Sequence, residues 1–254
     1  MEINIEFKSS KTNNLIQGRF IKATNFEEKS PLIFMLTGDG PKGSKSSSWT
    51  NMPPKLAKKG ISSFLFDFEG LGYSAGSRKK LSLSLGISNL RDAMSEIKSQ
   101  EWIDFERIGC FASSFGAAVI LSCPEIANDL AVLGLKSPAS FLADAYYNEL
   151  SFQEFETWRE EGYSSINGYN FEIFIDSLEY NVFSSAKKIN TPTFITQGDK
   201  DEIVPFQQTI FLYECLKSKK KALRIFKKGN HGYSIANHWE EMATYFVDSF
   251  SQNL

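Results

Sequence analysis

The residues Ile108-Gly-Cys-Phe-Ala-Ser-Ser-Phe-Gly-Ala-Ala-Val-Ile120 carry the densest chemical signal in the chain. They read as a short apolar strand, an abrupt turn of small residues around Ser114, and a helix opening on Ala117. A turn of that kind lifts its central side chain above a sheet and leaves backbone amides pointing the same way. That suits a serine nucleophile beside an oxyanion site. The neighbouring Ser113 would put Phe111 and Phe115 where backbone crowding demands small residues, whereas Ser114 puts Ala112 and Gly116 there. A serine alcohol needs a nearby base at neutral pH. The only two histidines are His231, in the loop Gly229-Asn-His-Gly232, and His238, inside a helical segment beside Trp239 and Glu240. His231 is the candidate base, and His238 reads as structural. Between Ser114 and His231, an acidic turn follows the strand Thr193–Gln197. It offers Asp199, Asp201 and Glu202 as the carboxylate that would orient an imidazole and stabilise its charged form.

Two further glycine motifs compete for attention. Gly72-Tyr-Ser-Ala-Gly76 is a literal Gly-x-Ser-x-Gly, but Ser77-Arg-Lys-Lys80 follows it, a polar loop with no apolar helical face. Without a helix there is neither a fixed elbow nor a dipole end, so this reads as a structural turn. Gly38-Asp-Gly-Pro-Lys-Gly43 has the dinucleotide-binding spacing after a strand. Pro41 and the run Ser44–Ser48 delay the helix, however, and Asp67 lies farther away than the roughly 20 residues that motif expects. Gly43-Ser-Lys45 does not fit a phosphate-binding Walker loop either. The better reading is an oxyanion loop, with the backbone N–H of Asp39 paired with that of Phe115.

These residues need a scaffold, and the hydropathy pattern supplies one. Residues 2–8 and 15–23 alternate apolar and polar about Thr12-Asn-Asn14, as an antiparallel hairpin. Apolar strands are predicted at 31–36, 61–67, 107–112, 131–138, 192–197 and 222–227. Helices are predicted at 47–59, disturbed at its start by Pro53-Pro54, and at 82–99, 114–123, 206–217 and 235–252. The alternation implies a single α/β domain over residues 1–254, its sheet mostly parallel and covered by helices on both faces. Residues 139–190 break the pattern with helical fragments and are expected to form a lid insertion. Twelve aromatics fall between Phe141 and Phe183, mixed with Glu149, Glu154, Glu156, Glu160 and Glu161. They suit amphipathic helices packed on the core, or an apolar acyl or aryl pocket under an acidic outer surface.

Composition narrows the function classes. A net charge of −2 offers no electrostatic footprint for nucleic acid. Three cysteines, Cys110, Cys123 and Cys215, lack metal-ligand spacing and suggest reduced thiols in the cytoplasm. No run approaches the roughly 18 apolar residues of a membrane span, and Met1-Glu-Ile-Asn-Ile-Glu lacks the features of a signal peptide. No metal and no cofactor is expected. The expected partner is a small-molecule ester or thioester.

Assembled, the chain resembles the α/β-hydrolase superfamily, and most closely the single-domain serine esterases of the feruloyl/cinnamoyl-esterase and prolyl-oligopeptidase-like type. Thr37-Gly-Asp39 is similar to their His-Gly-x, and Asp67-Phe-Glu-Gly-Leu-Gly-Tyr-Ser74 to their Asp-x-Arg-Gly-x-Gly-x-Ser loop. Ala112-Ser-Ser-Phe-Gly-Ala117 is similar to Gly-x-Ser-x-Gly-Gly, and Asn230-His-Gly232 to the histidine loop. Gly198-Asp-Lys-Asp-Glu-Ile-Val-Pro205 matches Gly-x-x-Asp-x-x-Val-Pro, which selects Asp201 among the three acids. The resemblance implies an α/β-hydrolase fold with a helical lid, a Ser114–His231–Asp201 triad, and an oxyanion hole made by the N–H groups of Asp39 and Phe115. It implies a serine hydrolase that cleaves a carboxylic ester with an apolar acyl or aromatic group through an acyl-enzyme. The same triad would serve an acyl-thioesterase or acyltransferase, and the fold alone would serve a non-catalytic binding protein. Two positions depart from the pattern. Thr37 replaces a histidine and leaves backbone oxyanion donors in place. Glu69 replaces an arginine, which removes a positive structural partner and invites rearrangement of the loops around the site.

Overall fold

Continuous apolar runs become strands buried on both faces, and the alternating run becomes a half-exposed edge, in the computed structural model, which describes residues 1–23 and 29–254. At the edge, β1 (Glu2–Lys8) pairs antiparallel with β2 (Leu15–Ile21), from Glu2 opposite Ile21 to Lys8 opposite Leu15. β2 pairs antiparallel with β4 (Ser62–Phe66). The other neighbours, β3 (Ser30–Leu36), β5 (Ile103–Ser113), β6 (Val132–Lys136), β7 (Thr193–Gly198) and β8 (Lys221–Phe226), run parallel to one another and to β4. The order across the sheet is β1-β2-β4-β3-β5-β6-β7-β8. Strand order reverses at β3, which lies between β4 and β5, so a crevice opens at the carboxyl ends of β3 and β5. Gly38-Asp39 and Ser114 follow those two ends.

One face of the sheet is covered by α1 (Ser47–Ala57) and α10 (His238–Ser251), which bury Trp49, Met52, Met242 and Phe246 against Ile33, Met35, Phe111 and Val132. The opposite face carries α2 (Leu83–Lys98), α3 (Phe115–Leu121), α4 (Pro124–Asn128) and α9 (Phe206–Cys215). Two local expectations are corrected. α1 begins at Ser47 and carries Pro53 and Pro54 in its interior, so the prolines do not disturb its start. Its buried stripe of Trp49, Met52 and Leu56 offsets the backbone bonds that the prolines lack. α3 opens at Phe115, two residues earlier than Ala117, because the Ser114 carbonyl already accepts from the Ala117 and Ala118 amides. Among the described residues, no helix is long and apolar enough to cross a membrane.

Between β6 and β7, residues 139–190 form α5 (Leu142–Asn148), α6 (Phe152–Glu161), α7 (Glu172–Leu178) and α8 (Val182–Ala186). α6 starts on a capping box in which the Ser151 hydroxyl accepts from the Glu154 amide and the Glu154 carboxylate accepts from the Ser151 amide. It ends at Gly162 in the left-handed region. The aromatic residues of this segment pack mainly on one another. The buried Trp158 ring meets Tyr146, Phe155, Phe171 and Phe174 edge-on, at 5.1 to 6.2 Å between centroids.

Glu69 turns toward the opening hairpin. It is buried and accepts from Thr12 Oγ1 (2.6 Å), Asn14 Nδ2 (2.8 Å) and Asn89 Nδ2 (3.0 Å), joining the β1–β2 turn to α2. Burial pushes its carboxyl up, but the Ser9 hydroxyl and these donors outweigh that and hold it below its usual range. A carboxylate therefore satisfies neutral donors where an arginine would seek an anion.

Since Trp158 is fully buried and joined to the main core, Trp158→Ala should cost about 3–5 kcal/mol. Urea denaturation should show one transition at a lower midpoint. Two separate transitions would mean that the 139–190 segment unfolds on its own.

Candidate active site

Ser114 stands at φ 50°, ψ −116°, a backbone conformation that a non-glycine residue adopts only when its surroundings enforce it. The enforcement is visible. Its N–H donates to the Lys136 carbonyl (3.1 Å), and its own carbonyl accepts from Ala117 (3.0 Å), Ala118 (3.2 Å) and Ala139 (3.4 Å). Gly116 is indispensable here, because a Cβ on it would lie 2.5 Å from the Thr37 carbonyl oxygen and 2.6 Å from that of Leu36. Helix α3 thus presses against the end of β3. In the same place the Cβ position of Gly38 lies 3.4 Å from Ser114 Cβ and 4.0 Å from Ser114 Oγ, so the Gly38-Asp39 turn leans on the serine.

The loop after β7 places Asp201, and the loop after β8 places His231. Both Asp201 oxygens face His231 Nδ1, at 3.0 and 2.9 Å. Asp201 also accepts from the amides of Ile203 (3.0 Å) and Val204 (2.9 Å) and from Gln197 Nε2 (2.7 Å). Its side chain is fully buried, and burial pushes its carboxyl up. The bond to His231, the imidazole's charge and the two amides outweigh this and hold it below the ordinary range. The rival acids are engaged elsewhere. Asp199 accepts from the Lys228 amide, and Glu202 accepts from the backbone amide of His231 rather than from its ring. Ser113 remains in β5, where its hydroxyl lies 3.5 Å from Lys136 Nζ. Ser74 is spent structurally, accepting from the Gln17 amide and donating to the Asp67 carbonyl. His238 opens α10 with its ring against Phe226.

A cavity of about 620 Å³ lies above the strand ends, within the usual range for small-molecule sites. Ser114 and His231 both line it, without a hydrogen bond between them. Gly38 and Asp39 line it too, and among the described residues no group accepts from the backbone amides of Asp39 and Phe115. Its apolar wall is Trp49, Met52, Phe111 and Met242, drawn from α1, β5 and α10. The 139–190 segment contributes Glu149, Ile166, Asn167 and Tyr169 at the rim, so most of its aromatic side chains turn away from the cavity.

Four residues of this arrangement were absent from the sequence-based reading. Arg78 donates from Nε to the Asp39 carbonyl (3.1 Å), from Nη1 to the Asn167 carbonyl, and from Nη2 to Tyr169 Oη (2.7 Å). Tyr169 Oη also donates to the Asp39 carbonyl (3.0 Å), and Tyr146 Oη donates to Asp39 Oδ2 (3.2 Å). Burial, reinforced by Asp39, pushes both phenols well above their ordinary range, so they remain donors. The fourth is Lys136, whose ammonium donates to the His231 carbonyl (3.0 Å). Its one sequence signal is a lone cation closing an otherwise apolar strand.

Comparison with known proteins gives the family and the fold. The profile described as the prolyl oligopeptidase family matches residues 51–253. The acylamino-acid-releasing enzyme of Mus musculus is 24% identical over 233 residues, covering 84% of this chain but 30% of that protein. The chain therefore spans about a third of the length of such relatives. The uncharacterized protein YfhR of Escherichia coli strain K12 is 22% identical over 222 residues, covering 87% of this chain and 71% of that one. Among solved structures, Est1E from Butyrivibrio proteoclasticus with ferulic acid bound superposes with a TM-score of 0.85 at 18% identity, over 98% of each chain. The α/β hydrolase GrgF from Penicillium sp. sh18 superposes with a TM-score of 0.79 at 17% identity, over 100% of this chain and 99% of that one. The fold is that of the α/β hydrolases.

The Asp201 carboxyl titrates lower folded than unfolded, so its stabilisation is complete above the unfolded value of about 3.9 and disappears as pH falls through the folded value. Asp201→Asn should therefore be less stable than the wild type at pH 7, with the gap closing in strong acid. Denaturant midpoints across pH test this, and a gap that stays constant would refute the linkage.

Proposed function

On the premise that the chain belongs to the prolyl oligopeptidase family, we propose that it is a serine hydrolase cleaving a carboxylic ester with an apolar acyl or aromatic group. The observation that carries this is the Asp201–His231 pair set beside a strained Ser114 in one cavity. With Nδ1 donating to Asp201, the imidazole presents Nε2 as its basic nitrogen. Ser114 Oγ attacks the ester carbonyl while His231 takes the hydroxyl proton. The carbonyl oxygen, now an oxyanion, accepts from the unengaged amides of Asp39 and Phe115. Collapse breaks the bond to the alcohol, which leaves with the proton from His231. Water, activated by His231, then attacks the acyl-enzyme and restores the serine.

The apolar group is assigned to the wall of Trp49, Met52, Phe111 and Met242, all of them buried. Ile166, Asn167 and Tyr169 at the rim support reading residues 139–190 as a lid over a single domain. The relation to acylamino-acid-releasing enzymes favours a second reading, in which the same acyl-enzyme forms on an amide. Three free cysteines suit a reducing compartment such as the cytoplasm.

A fluorophosphonate probe should label the wild type and not Ser114→Ala, and equal labelling of both would sink the assignment. On nitrophenyl esters, Ser114→Ala should lower kcat by about 10⁴-fold or more. Met52→Trp should shift preference toward shorter acyl chains while leaving acetate ester hydrolysis near wild type. An unchanged chain-length profile would place the acyl group elsewhere.

A further inference from the structure

We propose that Lys136 is a positioning residue that fastens the His231 loop to the strand end holding Ser114, fixing base and nucleophile relative to each other. This rests on the functional reading above. Lys136 closes β6 beside Ser113 of β5 and is 6% exposed. Its main chain holds the nucleophile, since its carbonyl accepts from the Ser114 amide at 3.1 Å. Its side chain holds the base, since Nζ donates to the His231 carbonyl at 3.0 Å and lies 3.5 Å from Ser113 Oγ and 5.0 Å above the Tyr233 ring. One residue thus grips both partners of the proton transfer, although they are far apart in the chain.

The lysine is also an expensive choice. Among the described residues no carboxylate lies within ion-pair distance of Nζ, and an unpaired buried ammonium costs several kcal/mol relative to water. Burial pushes it down to about 8, with Asp201 opposing, so most of it is charged at neutral pH. The charged and titratable groups that face this corner among the described residues are Asp201 on the imidazole, Glu202 on the His231 amide, the Tyr233 phenol behind the ammonium, and Glu149 on the cavity wall, whose carboxyl is pushed up to about 7 by burial, Asp39 and Asp201. The ammonium is the one cation among them apart from the imidazolium itself, and it opposes imidazolium formation. Methionine would fill the same volume with neither the donors nor the charge.

The test compares wild type, Lys136→Met and Lys136→Arg. Lys136→Met should retain or gain thermal stability, because an apolar side chain replaces a buried charge. Its kcat should nonetheless fall about 10–100-fold with KM changed less than about twofold, as expected when a base is misplaced. The acid limb of kcat/KM should move to higher pH, because a cation opposing the imidazolium has gone. Lys136→Arg, which restores donors and charge, should recover part of kcat. A merely structural lysine would instead lower Tm and leave the pH profile in place. Should Lys136→Met not fold, Lys136→Gln serves the same comparison with one donor group retained. Wild-type kcat and an unmoved acid limb in whichever neutral variant folds would overturn the proposal. Absence of fluorophosphonate labelling in the wild type would sink the hydrolase reading itself. Labelling with an unaffected neutral variant would sink the Lys136 role alone.

Discussion

Helix α3 can approach the end of β3 only because residue 116 has no side chain, and the rest of the site hangs on that approach. A single methyl group there would collide with two main-chain carbonyls. The close contact brings the first turn of α3 beside the Gly38-Asp39 turn, so the two amides proposed as oxyanion donors follow the ends of neighbouring strands. The sheet supplies the remainder. β3 lies where strand order reverses, and the parallel register from β5 to β8 sets Ser114, Asp201 and His231 beyond the carboxyl ends of β5, β7 and β8. Backbone geometry and one missing Cβ therefore place groups that are distant in the chain.

A second layer of constraint is polar and reaches sideways. The Asp39 carbonyl is held by Arg78 and Tyr169, and its carboxylate by Tyr146. Arg78 continues to the Asn167 carbonyl. The proposed oxyanion turn is thereby tied to the 139–190 segment by hydrogen bonds with at least one neutral partner rather than by ion pairs, and these links are little weakened by salt. The aromatic packing around Trp158 gives that segment a rigid base from which Tyr146 and Tyr169 reach the site.

Much of this was legible in the sequence. Buried strands announce themselves as apolar runs, and small residues at 112 and 116 distinguish Ser114 from Ser113. Spacing could not separate Asp199, Asp201 and Glu202, since all three occupy one turn. Resemblance chose Asp201, and the structure shows the other two engaged with backbone amides. The aromatic count between 141 and 183 left helix packing and a pocket wall both open, because composition carries no direction, and most of those rings face one another. The cavity's apolar wall instead comes from Trp49, Met52 and Met242, which join through tertiary packing alone. Lys136 was invisible for a related reason. A cation ending a strand usually reaches solvent, and here the later His231–Tyr233 loop packs against it.

The positive φ of Ser114 sets stability and turnover against each other. A residue with a Cβ pays of order 1–3 kcal/mol to remain in such a conformation, whereas glycine adopts it freely. Selection for robustness alone would therefore replace the serine, and the residue proposed to carry the chemistry is one of six non-glycine residues that the described scaffold holds at positive φ. A stabilising substitution at the elbow would trade catalytic competence for a sturdier fold.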